Sequence, residues 1–334
     1  MAAHARRPRQ ECGVTAEPRI VFLDRATIPD DVVLRVPDFP HVWTDHARTA
    51  VEDVVARSRG ANILIVNKVP LTGPMLEALP DLRMIAVAAT GTDRIDLETA
   101  FARRIVVSNI RGYATRSVPE HTLALMLALR RSIPMYRDSV AAGAWQKADQ
   151  FCYFDHPIHD LAGATLCVVG AGSIGSAVAR LGEAFGMKVI LAGRKGEVPA
   201  PGRIAFADAI ATADIISLHC PLTSRTRNLI GAPEFAAMTR RPLLINTARG
   251  GLVDEAALVA ALRGGVLSGA GFDVASAEPP PPDHPFMALL GRPDFILTPH
   301  VGWASREAIG ALAEQLIGNI EAFVAGAPRN VVGR

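Results

Sequence analysis

Short apolar runs alternate with longer stretches whose apolar residues recur three or four positions apart, and the alternation continues along most of the chain. The runs at 19–24 (RIVFLD), 61–66 (ANILIV), 84–88 (MIAVA) and 105–107 (IVV) read as strands, and helix or loop fills the gaps. A second set follows at 166–169, 189–192, 214–219, 243–247, 269–274 and 295–298, each ending in polar or glycine-containing sequence where a loop should begin. Strands alternating with helices predict parallel sheets covered on both faces. Between the two sets, residues 109–113 (NIRGY) read as a crossover hinge, and a helix starts at Val118. Ser117 and Glu120 stand at capping-box spacing before it. The body of that helix (HTLALMLALRR) is apolar on more faces than one packed side requires, so it is either deeply buried or shared with a second subunit. A final helix from Arg306 to about Val324 repeats Ile309, Leu312, Leu316, Ile320 and Phe323 on one face, which needs a surface to cover.

The pattern predicts an α/β chain with two doubly wound parallel-sheet domains, one of Rossmann type and a smaller one of flavodoxin type. A length of 334 residues agrees with two domains. Residues 1–17 read as a disordered start, because MAAHARRPRQECG has no apolar core of a secretion signal. Net charge is +2, too near neutral to argue for nucleic acid or an anionic membrane. The longest apolar run, 122–129, is too short to span a bilayer. Cys12, Cys152, Cys167 and Cys220 share no metal or disulfide spacing and fit reduced thiols in the cytoplasm.

The stretch 166–195 (LCVVGAGSIGSAVARLGEAFGMKVILAGRK) changes the picture from fold to chemistry. It reads as strand, glycine turn, helix and strand, the order of a dinucleotide-binding βαβ unit. Gly170 permits the turn, Gly172 lets the backbone approach a pyrophosphate, and Gly175 lets the helix lie against the strand. Amides around Ser173 and Ile174 at the helix start would carry the anion. A site for NAD usually ends its second strand on an acid that holds the ribose 2′-hydroxyl. Here the strand ends Ala192-Gly193-Arg194-Lys195. Two cations after a small residue suit a 2′-phosphate, which favours NADP(H), with NAD(H) as the alternative. The plainer reading of Arg194 and Lys195 is a solvated basic turn.

Three residues follow successive strands of the second set: Arg249 in NTARGG, Glu278 in FDVASAEPP and His300 in LTPHVGW. Reduction of a 2-oxo acid needs these types: a cation to hold the carboxylate and polarise the carbonyl, a proton donor for the alkoxide, and a carboxylate to orient the imidazole and favour its charged form. Singly, they read as a surface cation, a solvated acid and a capping or core histidine. As an ordered set behind a dinucleotide turn they read as a catalytic group. His219 reads as shaping the cofactor pocket, and His121, His156 and His284 as structural.

The segments IVFLDRATIP, AATGTDRIDL, SVPEHTLALMLALRR, QFCYFDHPI, GAGSIG, LHCPLTSRT, LINTARGGLVDE, GFDVASAEPP and LTPHVGWAS together resemble the D-2-hydroxyacid dehydrogenases, and among them the glycerate dehydrogenases and glyoxylate/hydroxypyruvate reductases. The resemblance implies a catalytic Arg249, Glu278 and His300, and backbone amides of Thr90 and Gly91 on the substrate carboxylate. It implies cofactor contacts from Ser173, Ile174, Pro221, Thr226, Thr247, Ala248, Asp273 and Gly302. It also implies a domain split of 18–112 with 305–334 for substrate and 113–304 for nucleotide, and a homodimer formed through the nucleotide domains. Trp145 matches a tryptophan that some members extend into the partner's active site. Glu278 departs from the formate dehydrogenases of this fold, which carry glutamine there. Corepressor-like proteins share the fold and the three residues, so a dinucleotide-sensing binding module is the alternative, as is a dehydrogenase for another 2-oxo acid.

Overall fold

A computed structural model describes residues 17–333; Cys12 and the start that the sequence reads as disordered (1–17) fall outside them, apart from Glu17. The chain divides into two compact units, one running to Tyr113 and resuming at Ser305, the other spanning Ala114–Ala304.

The first unit contains β1 (Arg19–Phe22), β2 (Val42–Asp45), α1 (Val54–Ser58), β3 (Ile63–Val66), α2 (Gly73–Glu77), β4 (Met84–Val87), α3 (Leu97–Ala102) and β5 (Val106–Ser108). Its five strands lie in the order β2-β1-β3-β4-β5, all parallel. Strands β3 and β4 are buried at every position, which is why they read as unbroken apolar runs. Strand β2 is not among the strands that the sequence pattern predicts. It lies at the sheet edge with no position fully buried, so its VWTD carries no core signature.

The second unit contains α4 (Ser117–Arg130), α5 (Ile133–Ala141), β6 (Thr165–Val169), α6 (Ser173–Ala184), β7 (Lys188–Leu191), α7 (Phe206–Thr212), β8 (Ile215–Leu218), α8 (Ala232–Ala237), β9 (Leu243–Asn246), α9 (Glu255–Arg263), β10 (Gly269–Phe272) and β11 (Phe295–Leu297). Its six parallel strands run β11-β10-β9-β8-β6-β7. The last helix, α10 (Arg306–Val324), belongs to the first unit, where it packs on β4. Its Ile309, Leu312, Leu316, Ile320 and Phe323 are all buried, as the periodicity requires.

Helix α4 corrects one expectation. Ser117 is no N-cap: the helix begins at Ser117 itself, with Arg116 before it, and the preceding turn feeds its first amides (Val118 N to Ala114 O). With that need met, the Ser117 hydroxyl donates instead to Gly302 O at 2.5 Å. The helix buries Val118, Thr122, Leu125, Met126 and Leu129 along one face against α6, β9 and β10, and leaves Leu123 and Leu127 half-buried.

In both sheets the chain leaves its first strand in one direction and returns on the other side of it. The switch point lies between β1 and β3 in the first unit and between β6 and β8 in the second. Loops at the carboxyl ends of such a pair diverge and leave a crevice that a ligand can enter.

Candidate functional site

At the switch point of the second unit, β6 runs into Gly170 and β8 into His219, Cys220 and Pro221. Gly170 has φ +97°, and a Cβ on it would lie 2.7 Å from Cys220 N. Only glycine tolerates both the dihedral and the approach. A Cβ on Gly175 would collide with Gly170 O, so the third glycine sets how closely α6 crosses the turn. Gly172 is different: a Cβ there would meet nothing within 4 Å. The chain itself makes no use of that space, beside the amino end of α6, and a pyrophosphate needs it. The first amide of α6 to find a carbonyl partner four residues back is Ser176, which bonds Gly172 O. The amides of Ser173, Ile174 and Gly175 ahead of it point out of the helix end.

These residues border a groove of about 700 Å³ lined by Val169–Gly172, Ala192–Lys195, Pro221, Thr223, Arg225 and Thr226. It is large enough for a nucleotide. Thr226 fixes the β8 loop: its hydroxyl donates to Pro221 O at 2.7 Å and accepts from Thr223 N at 2.7 Å. His219 also lines the groove. Burial lowers its pKa to about 4, and Nε2 meets Ser217 Oγ at 2.8 Å, so it stays neutral and shapes the wall. The residues present fit a dinucleotide.

The glycines separate two kinds of failure. Gly172→Ala should leave the melting temperature within a degree or two while weakening nucleotide binding about tenfold or more, because the added methyl fills the anion's space and nothing else. Gly175→Ala should lower both, with about 1–3 kcal/mol of overpacking. Thermal melts beside calorimetric titration with ADP-ribose check the pair; a Gly172→Ala protein that binds normally would remove the pyrophosphate from this place.

The cations after β7 are not equivalent. Lys195 Nζ pairs with Glu234 Oε1 at 2.7 Å and donates to Leu229 O at 3.1 Å, so its charge is largely engaged by the protein. Arg194 is 79 % exposed at the groove and pairs only loosely, at 3.6 Å, with Glu197.

Further along the carboxyl edge stand the three residues singled out for chemistry. His300 and Glu278 are joined directly, Nδ1 to Oε2 at 2.7 Å. A carboxylate only accepts, so Nδ1 carries the proton of that bond and Nε2 is the nitrogen that can exchange one. Glu278 Oε1 accepts from Ala275 N at 3.1 Å, so both carboxylate oxygens are held. Arg249 follows β9 on a turn tied by Asn246, whose side chain donates to Arg249 O and accepts from Ala248 N. Its Nη1 donates to Ala248 O at 2.7 Å, which orients the guanidinium. Thr247 is buried and shares a 2.8 Å hydroxyl contact with Thr122 of α4.

His300 has φ +55°, a left-handed conformation that a non-glycine residue adopts only when its surroundings impose it. Asp273 imposes it. One carboxylate oxygen accepts from Thr298 Oγ1 and Val301 N, the other from Gly302 N, and His121 stands at 3.5 Å. Burial would raise this carboxyl, but the hydrogen bonds from His121, Thr298, Gly302 and Val301 outweigh it and hold its pKa below the ordinary range. Trp303 Nε1 closes the loop on His300 O at 2.8 Å. Asp273 and Gly302, read from the sequence as cofactor contacts, here form the cradle of the histidine loop. His121, read as structural, belongs to that cradle too.

A further group carries no local signal in the sequence. Glu255, the buried first residue of α9, accepts from Ser276 N, Ser276 Oγ and the buried His284 Nε2 at 2.7, 2.6 and 2.9 Å. His284 Nδ1 accepts from Phe286 N, which fixes the imidazole's tautomer. Gly250 lies so close to Ala275 that a Cβ would overlap its carbonyl. Together they pin the segment leading to Glu278 onto the turn that carries Arg249. Only contacts between residues 21 apart or more could have revealed it.

The remaining sites lie elsewhere. Thr90 and Gly91 sit on the loop after β4 in the first unit, where Thr90 Oγ1 donates to Ile110 O at 2.7 Å. At that unit's switch point Asp24 accepts from the amides of Asn67, Lys68 and Val69. Burial raises its pKa in spite of those bonds. Trp145 lies beyond α5, 52 % exposed, its Nε1 donating to Phe151 O at 3.0 Å. Among the described residues no group of His, Cys, Asp or Glu could hold a metal, and no helix is long and apolar enough to cross a membrane.

A doubly wound sheet with a dinucleotide groove, and an imidazole–carboxylate pair at the same carboxyl edge, defines a dinucleotide-dependent oxidoreductase. The chain belongs to the D-isomer specific 2-hydroxyacid dehydrogenases: the model of that family's NAD-binding domain matches residues 123–302. A glycerate dehydrogenase of Methylorubrum extorquens is 49 % identical over 315 residues, covering 94 % of this chain and 98 % of its own. A hydroxypyruvate reductase of Blautia hydrogenotrophica is 34 % identical, covering 88 % and 91 %. Among solved structures, the NADPH-dependent glyoxylate/hydroxypyruvate reductase of Sinorhizobium meliloti, in complex with NADP and malonate, superimposes with a TM-score of 0.82 at 30 % identity, over 95 % of this chain and 97 % of the other. The protein is therefore an oxidoreductase of 2-hydroxy acids that uses a nicotinamide dinucleotide.

Proposed function

We propose that the protein reduces small 2-oxo acids, hydroxypyruvate or glyoxylate, to D-glycerate or glycolate, with NADPH preferred over NADH. The substrate class rests on the relatives named above. The cofactor preference rests on one observation: the tip of β7 carries no acid, and Arg194 stands exposed at the groove in its place. A bound reduced nicotinamide would supply the hydride that the carbonyl carbon receives. Arg249 holds the substrate carboxylate and polarises the carbonyl. His300 Nε2 gives the proton to the carbonyl oxygen as negative charge builds there, and then regains one from water. Glu278 keeps the imidazole oriented and compensates its charge. One 2-oxo acid, one hydride and one proton yield one 2-hydroxy acid.

The protein acts as a homodimer in this reading. The segment beyond α4 exposes Ile133, Trp145, Phe151, Phe154 and Ile158, with Phe151 87 % exposed, more apolar surface than one stretch of a monomer keeps in water. Trp145 on that segment would reach the partner's substrate. A cytoplasmic location accompanies the assignment, with reduced thiols at Cys152, Cys167 and Cys220.

Arg194→Ala should weaken NADPH at least tenfold and NADH less than twofold, since only the first carries the 2′-phosphate. Fluorescence titration of both cofactors checks this, and equal losses would refute the preference. A panel of 2-oxo acids run with each cofactor tests the substrate class. Absence of turnover with all of them would leave a dinucleotide-sensing binding module.

A further inference from the structure

The loop after β7 and the loop after β8 face each other across the groove, and they meet through charge. Arg225 of the β8 loop forms a very short ion pair with Glu197 Oε1, while Arg194 of the β7 loop stands 3.6 Å from Glu197 Oε2. One carboxylate thus lies between two guanidinium groups, and all three residues line the groove that takes the nucleotide. Glu197 and Arg225 are 28 residues apart in sequence. The hydrogen bond from Arg225 holds the Glu197 carboxyl below the ordinary range, so the carboxylate is a resident anion at working pH.

We propose that Arg194 and Arg225 together form the clamp for the cofactor's 2′-phosphate, and that Glu197 fills the clamp until the phosphate displaces it. The inference rests on the NADP(H) reading and adds to it the second arginine and the competing acid. Two like charges brought to one place destabilise each other unless an anion lies between them. In the absence of phosphate that anion is Glu197. A phosphate monoester carries close to two negative charges above about pH 6 and offers three acceptor oxygens, against one charge and two oxygens on the glutamate. It can serve both guanidiniums at once, so the exchange runs toward the phosphate. A ribose 2′-hydroxyl has no charge to exchange, and with NADH the glutamate stays on its arginines. Glu197 therefore takes no part in NADH binding and costs some of the affinity for NADPH.

Calorimetric titration of the full chain with 2′,5′-ADP and with 5′-AMP, which differ only in the 2′-phosphate, tests this without any turnover. Arg225→Ala should weaken 2′,5′-ADP about tenfold and 5′-AMP less than twofold. Glu197→Gln should tighten 2′,5′-ADP about two- to fivefold, the scale of an exposed ion pair, and leave 5′-AMP unchanged. Both differences should shrink in 0.5 M salt, where charges at the surface are screened. If Arg194→Ala weakens 2′,5′-ADP while Arg225→Ala does not, the two-arginine clamp is wrong and the NADP(H) reading survives. If Glu197→Gln weakens 2′,5′-ADP, the glutamate supports the phosphate site and the exchange is overturned. If the unaltered protein binds 2′,5′-ADP no better than 5′-AMP, the NADP(H) reading fails and the clamp goes with it.

Discussion

His300→Gln should lower kcat by about three orders of magnitude while the cofactor's Kd stays within twofold. Positioned acid–base catalysis contributes about 10²- to 10⁴-fold, and three decades correspond to about 4 kcal/mol of barrier. The geometry explains why glutamine should fail in this place. Asp273 and Trp303 hold the loop through its backbone, so it keeps its anchor when the imidazole is replaced. What is lost is a nitrogen that can hand a proton to the carbonyl oxygen and take one back. The nucleotide groove is built from the loops after β6, β7 and β8, and His300 lies beyond β11, so binding should be spared. Stopped-flow turnover with hydroxypyruvate, alongside fluorescence titration of the cofactor, separates the two quantities. Turnover within tenfold of the unaltered enzyme would assign the proton to another group.

Arg249→Gln should cost as much or more, about 10³- to 10⁴-fold in kcat/KM, and should raise KM as well as lower kcat. The guanidinium is asked to do two things: hold the carboxylate in the ground state and stabilise charge on the carbonyl oxygen in the transition state. Arg249→Lys is the informative control, because it keeps the charge and loses the planar fork. Recovery of about tenfold by lysine would show the charge acting, with the remaining deficit owed to geometry. The Asn246 side chain bonds the backbone on both sides of the turn, so neither substitution should unfold it, and an unchanged melting temperature confirms that the loss is chemical. A glutamine variant with near-normal kcat/KM would take Arg249 out of the substrate site.

The parts of this molecule that were legible in advance are those whose signal is local. Strands such as 63–66 and 84–87 are buried on both faces, so each had to be written as an unbroken apolar run. The glycines at 170, 172 and 175 were visible because backbone geometry at a tight strand–helix turn demands glycine at fixed spacing. Ser117 shows how a local signal misleads. Its spacing to Glu120 spells a capping box, yet the turn before α4 already satisfies the first amides, and the hydroxyl serves Gly302 instead. Edge strand β2 was invisible for the opposite reason, having no buried face to encode.

By itself the sequence determined the two α/β halves, the dinucleotide turn, and the residue types Arg249, Glu278 and His300 at the ends of three strands. Each of these follows from the period of a strand or helix, or from the steric demands of one turn. Only the tertiary structure decided what those residues are attached to. It joined His300 to Glu278, bent the His300 loop around Asp273 and His121, and pinned the Glu278 segment through Glu255, Ser276 and His284. It also spent the charge of Lys195 on Glu234 and set Glu197 between Arg194 and Arg225. Hydrogen bonds and ion pairs act over about 3 Å of space regardless of separation along the chain. Which charges meet is therefore fixed by how loops from different strands converge at the sheet's carboxyl edge, and no local pattern records that.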